Sequence, residues 1–196
     1  MHQKLFVDAP VVVLGDTQPS GVYVLRLHVQ QPLVVACGRF KGGQPLLFPP
    51  GDYVYVGSAL GVRGSSTLAN RLLRHATRAA DRPPQPLRAT LVKHGDALGL
   101  GDNCALPLRP KKLFWHVDYV LNELTVELRQ IFALRTTRPL EKTLAQFFEA
   151  DPATFIVESG IGAQDHPGHT HLLRVQADEA WWAGLPAKLR HVITPA

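Results

Sequence analysis

The sequence predicts an α+β fold, an antiparallel sheet of three to four strands flanked by helices. Three observations carry that expectation. Short β-branched and aromatic runs crowd the first third of the chain, two later segments repeat apolar residues at helical spacing, and 196 residues with 45% hydrophobic and 19% charged content can bury one proper core. The whole of 1–196 is read as a single domain, with an irregular Pro/Gly-rich insertion at 81–112 and a C-terminal tail at 176–196.

Taken in order, Gly21–His28 is β-branched and bounded by the turn-like Thr17–Ser20, which reads as a strand. Leu33–Gly38 follows closely enough to pair with it as a hairpin. Beyond the Gly- and Pro-rich Lys41–Gly51, Asp52–Gly57 is a third strand that places Tyr53 and Tyr55 on one face by the two-residue period. Ser65 and Ser66 offer an N-cap to a helix over Thr67–Arg78, apolar at Leu68, Ala69, Leu72, Leu73 and Ala76. Its opposite face carries Arg71, Arg74 and Arg78, with His75 one turn from Arg71. The insertion has five prolines and no period, so it is expected to be the least ordered region. Order returns with a short helix over Leu113–Leu121, a strand over Thr125–Leu134, and a helix over Leu140–Phe148 that Pro139 introduces. Leu140, Leu144, Phe147 and Phe148 face inward there, with Glu141 nearer the rim. Ser159–Gly162 is a turn, Leu172–Val175 a last strand, and Trp181 and Trp182 are anchors that dock the tail on the core.

Charge and composition exclude several classes of function. No run approaches the ~18 to 20 apolar residues of a membrane span, and the first ten residues lack the layout of a signal peptide, so a cytoplasmic protein is expected. Two cysteines, Cys37 and Cys104, offer no CxxC pair and hence no cysteine-only zinc site. The net charge of +5 is unevenly spread: residues 1–112 hold 14 Lys/Arg against 6 Asp/Glu, and residues 113–196 hold 7 against 10. The basic part is the candidate polyanion surface, although charge alone is equally that of an ordinary basic protein.

Gly21-Val-Tyr23 on one strand and Tyr55-Val-Gly57 on a later one resemble the paired tripeptides of the GIY-YIG nuclease superfamily. With Phe48–Gly61, Arg71-Leu-Leu-Arg-His75 and Phe114–Leu121 in that order, the chain looks like a prokaryotic branch of that superfamily, a domain of unknown function also found fused to endonuclease III. The resemblance spans roughly Gly21 to Val175. It implies a phosphodiester-cutting site in which Tyr23 is general base or water-orienting group, Tyr55 its neighbour across the sheet and Arg71 the phosphate clamp. It also implies that His75 bridges to the nucleophile or phosphate and that Glu141 is the carboxylate for one divalent metal. A lone carboxylate suits Mg2+ or Mn2+, which keep most of their waters. Arg63, Arg74 and Arg78 are the candidate nucleic-acid contacts. The partner expected is nucleic acid, DNA ahead of RNA, and no membrane.

Each residue also has a structural reading. Tyrosines on strands pack, with Tyr53 the clearest case; helix-face arginines meet solvent or pair with carboxylates; and Glu141 in a first helical turn favours the helix dipole. Two departures from the nuclease pattern stand out: Ser58 occupies the place of a lysine that follows the second tripeptide, and a late asparagine has no clear match. The branch's late signatures are similar to Trp115–Tyr119, Gly160–Asp165 and Thr170–Leu172, with His166 and Gly168 standing where cysteines are typical. His116, Asp118, Asp165 and His171 form a second polar cluster. His116 and Asp118, two apart on a helix, point in different directions and do not chelate one ion, so the expected role is an aspartate, Asp118 or Asp165, orienting a histidine. A zinc site is the alternative. The function expected is that of a metal-dependent endonuclease or nuclease-like protein. The alternatives are a catalytically silent nucleic-acid-binding module and a different metal-dependent hydrolase using the His/Asp cluster.

Overall fold

The computed structural model describes residues 9–100, 110–163 and 168–193. Eight strands, β1 (Val11–Gly15), β2 (Gly21–Val29), β3 (Leu33–Ala36), β4 (Pro45–Phe48), β5 (Gly51–Ala59), β6 (Val126–Arg135), β7 (Thr154–Ile156) and β8 (Leu172–Val175), are joined by five α-helices. The helices are α1 (Leu68–His75), α2 (Leu87–His94), α3 (His116–Leu121), α4 (Glu141–Glu149) and α5 (Glu179–Ile193). Six strands form one sheet in the order β1-β6-β2-β5-β8-β7, antiparallel except for the β1–β6 pair. The class is mixed α+β as expected, and the sheet has six strands rather than three or four.

The expected hairpin of the first two strand-like runs is not formed. β2 is apolar on both faces, Val22 and Val24 on one and Tyr23, Leu25 and Leu27 on the other, and all five are buried. A strand of that composition belongs at the centre of a sheet, where the long strands β5 and β6 take both of its edges. β3 pairs instead with β4 in a separate two-stranded ribbon, burying Leu33, Leu46 and Phe48 and leaving Val34 and Leu47 outside.

The sheet separates two apolar layers. On one face Leu68, Leu72 and Leu73 of α1, Val117, Val120 and Leu121 of α3, and Leu87 and Leu91 of α2 cover Tyr23, Leu25, Tyr53 and Tyr55. On the other, Leu144 and Phe148 of α4 and Trp182, Leu185 and Leu189 of α5 cover Val22, Val24, Val54 and Phe132. The tail is thus an amphipathic helix, pinned at its start by buried Arg26, which lies 4.1 Å over Trp182 and pairs with Asp52 at 2.7 Å and Glu179 at 2.6 Å. Tyr53 packs as expected, but its hydroxyl is internal and donates to the Pro49 carbonyl at 2.7 Å.

Part of the expected irregular insertion is ordered core. The Gln85 side chain donates to the Leu121 and Val126 carbonyls at 3.0 and 3.1 Å and accepts the Leu128 N–H at 2.9 Å, which fastens the segment to β6 before α2 begins. With only Leu87 and Leu91 buried, α2 has too little apolar repeat to register as a helix in sequence. Residues 101–109 of that insertion lie outside the described residues. Among the described residues no helix is long and apolar enough to cross a membrane.

Candidate active site

A cavity of about 400 Å3 opens where β5 ends, lined by Tyr23, Tyr55, Ser58, Arg71, Trp115, His116, Glu141 and Gly162. The two tyrosines meet there because of strand register. Tyr23 lies opposite Gly57 and Tyr55 opposite Leu25, so the rings sit diagonally on one face with centroids 6.3 Å apart. Gly57 is the condition for this: a Cβ on it would fall on the Tyr23 hydroxyl and ring. Gly57→Ala is expected to force the ring aside and cost about 1–3 kcal/mol in urea unfolding. Stability equal to the parent would mean that Tyr23 has a second place to go.

Behind Tyr23 runs a buried polar chain. The Tyr23 hydroxyl is 2.8 Å from His75 Nε2, His75 Nδ1 is 3.6 Å from Asp118 Oδ1, and the Lys111 ammonium is 3.0 Å from the same oxygen. The His75 and Asp118 side chains are fully buried and that of Lys111 is 2% exposed. Asp118 Oδ2 also accepts the backbone N–H groups of Phe114 and Trp115 at 3.0 and 3.2 Å. Burial is the largest influence on Asp118 and would raise its pKa, but His75 and Lys111 outweigh it and hold the carboxyl below its usual range. Burial lowers His75 to about 4, so the imidazole is neutral at neutral pH. With Asp118 facing Nδ1, the proton is assigned to that nitrogen, and the bare Nε2 accepts from the Tyr23 hydroxyl. Burial likewise raises the phenol pKa of Tyr23 and of Tyr55, with Arg71 opposing the shift in both, so both are protonated phenols.

The expected basic ridge divides. Arg71 lines the cavity, its guanidinium carbon 4.0 Å over the Trp115 ring, and its buried Nε has no hydrogen-bond partner among the described residues. Arg74 donates to the Lys112 carbonyl at 2.5 Å and lies 3.3 Å from Asp118. Arg78 is committed to the carbonyls of Pro83, Leu121, Glu123 and Val126 at 2.7 to 3.3 Å. Arg74 therefore ties α1, and Arg78 the segment just beyond its end at His75, to their neighbours, while Arg63 is exposed on the loop before α1. The helix itself starts at Leu68 with Thr67, not Ser65 or Ser66, as its N-cap.

Glu141 reaches the cavity from α4, although the body of that helix packs on the opposite face of the sheet. Its Oε2 accepts from the Ser58 hydroxyl, and Oε1 is 3.2 Å from Nδ1 of buried His171. An anionic oxygen donor held this way, at a cavity with room for water, fits a hard divalent cation such as Mg2+ or Mn2+. A transition-metal site is not assembled: no group of three or more His, Cys, Asp or Glu among the described residues is placed to hold a metal. His116 turns away from Asp118 and accepts the Gly162 N–H on Nδ1 at 2.8 Å. Gly162, at φ +83°, packs its Cα edge against Tyr55 and His171. The late polar cluster is therefore split, with Asp118 behind His75, His171 behind Glu141 and His116 on the cavity wall. Asp165 lies outside the described residues.

Three participants escape sequence reading. Lys111 stands in the supposed insertion, Trp115 is a shelf for Arg71, and Ser58 is the hydrogen-bond donor to Glu141. The return of apolar period directly after Lys111 and Lys112 is the one local signal that could have found the first.

In comparisons with known proteins, a family model described as Domain of unknown function DUF123 matches residues 22–193. No curated protein and no solved structure matches the chain.

Proposed function

The chain belongs to the family of Domain of unknown function DUF123, and from the chemistry of its cavity we propose that it is a metal-dependent endonuclease of GIY-YIG type that hydrolyses the phosphodiester backbone of DNA. The observation that carries the reading is the meeting, in one cavity, of a phenol bonded to a neutral imidazole, an arginine with an unpartnered buried N–H, and a carboxylate. Phosphodiester hydrolysis needs a proton acceptor for water, a cation for the phosphoryl oxygens and a metal ligand.

A buried, protonated Tyr23 is no base by itself. It acts by exchange: its oxygen takes a proton from the attacking water while its own proton passes to His75 Nε2, and Asp118 stabilises the imidazolium formed. Water oxygen bonds to phosphorus, the P–O bond to the leaving oxygen breaks, and that oxygen takes a proton from solvent. The proton on His75 then returns to solvent through Tyr23. Arg71 presents its guanidinium group to a non-bridging oxygen from the cavity wall, while Trp115 holds the guanidinium plane. Glu141, set by Ser58 and His171, would hold the Mg2+ or Mn2+. Bound there, the metal would polarise the phosphate and offset charge on the leaving oxygen.

The test is a panel of labelled DNA and RNA, single-stranded, duplex, branched and mismatched, incubated with Mg2+ or Mn2+ and with EDTA. Metal-dependent cleavage of at least one is expected. Binding without cleavage by any would support the silent nucleic-acid-binding module, a reading that Ser58, in the place of a lysine, favours. The exchange also has a pH signature. A proton acceptor must be neutral, and a pKa lowered from 6.5 to about 4 keeps His75 neutral until the pH falls well below 6. Its imidazole NMR signals should stay flat from pH 8 to pH 5. A titration near 6.5 would mean that solvent reaches the imidazole, and would overturn the buried relay from Tyr23 to His75.

A further inference from the structure

The cavity has a polar floor but an apolar lip. Phe114 and Leu60 both line it, and they are 67% and 42% exposed; Val62, two residues beyond Leu60, is 61% exposed. Single exposed apolar residues are ordinary, but exposed apolar side chains on the lining of a polar cavity offer contact area to whatever enters it. Phe114 is also fixed in place rather than loose. Its backbone N–H donates to buried Asp118 at 3.0 Å, and its ring meets Trp115 edge-on at 5.3 Å, on the residue that carries Arg71. The sequence Phe114–Trp115–Arg71 is a rigid step from an exposed aromatic face down to a cation.

A nucleotide matches that step. A phosphate held by Arg71 brings its own or the adjoining base to the lip, and an aromatic face there offers stacking. In an intact duplex both faces of a base are already covered by its neighbours, so only an unstacked base can use the platform. Arg63, exposed on the loop that carries Leu60 and Val62, adds positive charge to the same rim and favours a polyanion over an apolar peptide. We infer that Phe114 is a base-stacking platform and that the preferred substrate carries an unpaired base next to the phosphate at Arg71, as in single-stranded, bubble or mismatched DNA. The inference rests on the nuclease reading and specifies its substrate class.

The test measures binding in EDTA buffer, so that no cleavage intervenes. Parent protein, Phe114→Ala and Phe114→Trp are titrated with a single-stranded oligonucleotide containing 2-aminopurine, with its fully paired duplex, and with a duplex carrying an unpaired bubble at that base. The parent should prefer the single strand and bubble and quench the 2-aminopurine. Phe114→Ala should weaken both by about 5- to 150-fold, the range of one base–aromatic stack, and lose the quenching, with duplex affinity changed less than about twofold. Phe114→Trp should restore both. Because the Phe114 ring is largely in solvent, the alanine variant should keep its unfolding midpoint, which circular dichroism checks. Equal loss on all three ligands, unchanged binding, or a parent preference for intact duplex would each overturn the inference, unchanged binding returning the lip to a protein-docking surface. A parent that binds no nucleic acid at all would overturn the nuclease reading with it. Cleavage and binding that persist in Phe114→Ala would overturn the stacking platform alone.

Discussion

Tyr23→Phe is expected to lower DNA cleavage by about 10²- to 10⁴-fold and to leave binding in metal-free buffer unchanged. The substitution keeps the ring that packs against Tyr55 and His75, so the sheet and α1 stay as they are. What it removes is the oxygen that, in the proposed mechanism, passes a water proton to His75. Arg71, the proposed phosphate clamp, is untouched. Glu141→Gln should give a comparable loss for a different reason. The amide can still accept from Ser58, but it no longer offers an anion to a divalent ion, so the residual activity should need more Mg2+ or Mn2+. The pair separates the two halves of the mechanism, since only the second variant shifts the metal dependence. Cleavage that survives Tyr23→Phe at the parent rate would remove the exchange through His75 and leave any activity to a different site or a contaminating enzyme.

How far this site was legible in sequence depends on how local each residue's role is. Tyr23, Tyr55 and Arg71 lie in phrases with a recognisable order and Glu141 in the first turn of a readable helix, and they line one cavity although strand, helix and face had to cooperate to bring them there. Glu141 is instructive: its helix covers the far face of the sheet, yet the first turn projects past the end of β5, which no periodicity argument predicts. Lys111 was hidden for another reason. It stands among prolines and glycines that read as irregular chain, and its ammonium finds its partners, Asp118 and the Thr77 carbonyl at 2.9 Å, only in the tertiary structure. Arg74 and Arg78 share the face of the helix predicted over Thr67–Arg78 with Arg71 and look equivalent to it, but α1 ends at His75 and leaves Arg78 beyond it. Their guanidinium groups are nevertheless spent on carbonyls of neighbouring segments, which the loop after α1 and the segments around α3 bring within reach. The fold followed the same rule. The long apolar strands and helices α1, α3 and α4 were readable from period, α5 read only as a docking tail, and β1, β4 and β7, five residues or fewer each, form only because a neighbouring strand or a turn supplies their partner edge.

Asp118→Asn is expected to destabilise the protein by about 3–5 kcal/mol at neutral pH, the range for breaking a buried ion pair from one side. The change is nearly isosteric, and the remaining side-chain oxygen can still accept the N–H groups of Phe114 and Trp115 that fix the start of α3. It removes the one carboxylate that, among the described residues, pairs with Lys111, whose side chain is 2% exposed and whose pKa burial already lowers. The sign of the pH dependence follows from the direction of the shift. The folded Asp118 carboxyl has a depressed pKa, so its contribution is complete above the unfolded value of about 3.9 and is lost as pH falls through the folded one. The gap between parent and variant in urea unfolding should therefore be constant from pH 8 to pH 5 and narrow only below about pH 4. Lys111→Met combined with Asp118→Asn should recover part of the loss, because the orphaned ammonium is then gone. In folded variant protein His75 also loses the partner that sets its tautomer, so cleavage assayed well below the unfolding midpoint should still fall by about 100-fold, and Lys111→Met should not rescue it. An Asp118→Asn protein as stable as the parent would mean that Lys111 is neutral or reaches solvent. One that is unstable but cleaves at the parent rate would confine Asp118 to the fold and leave His75 to accept the proton unaided.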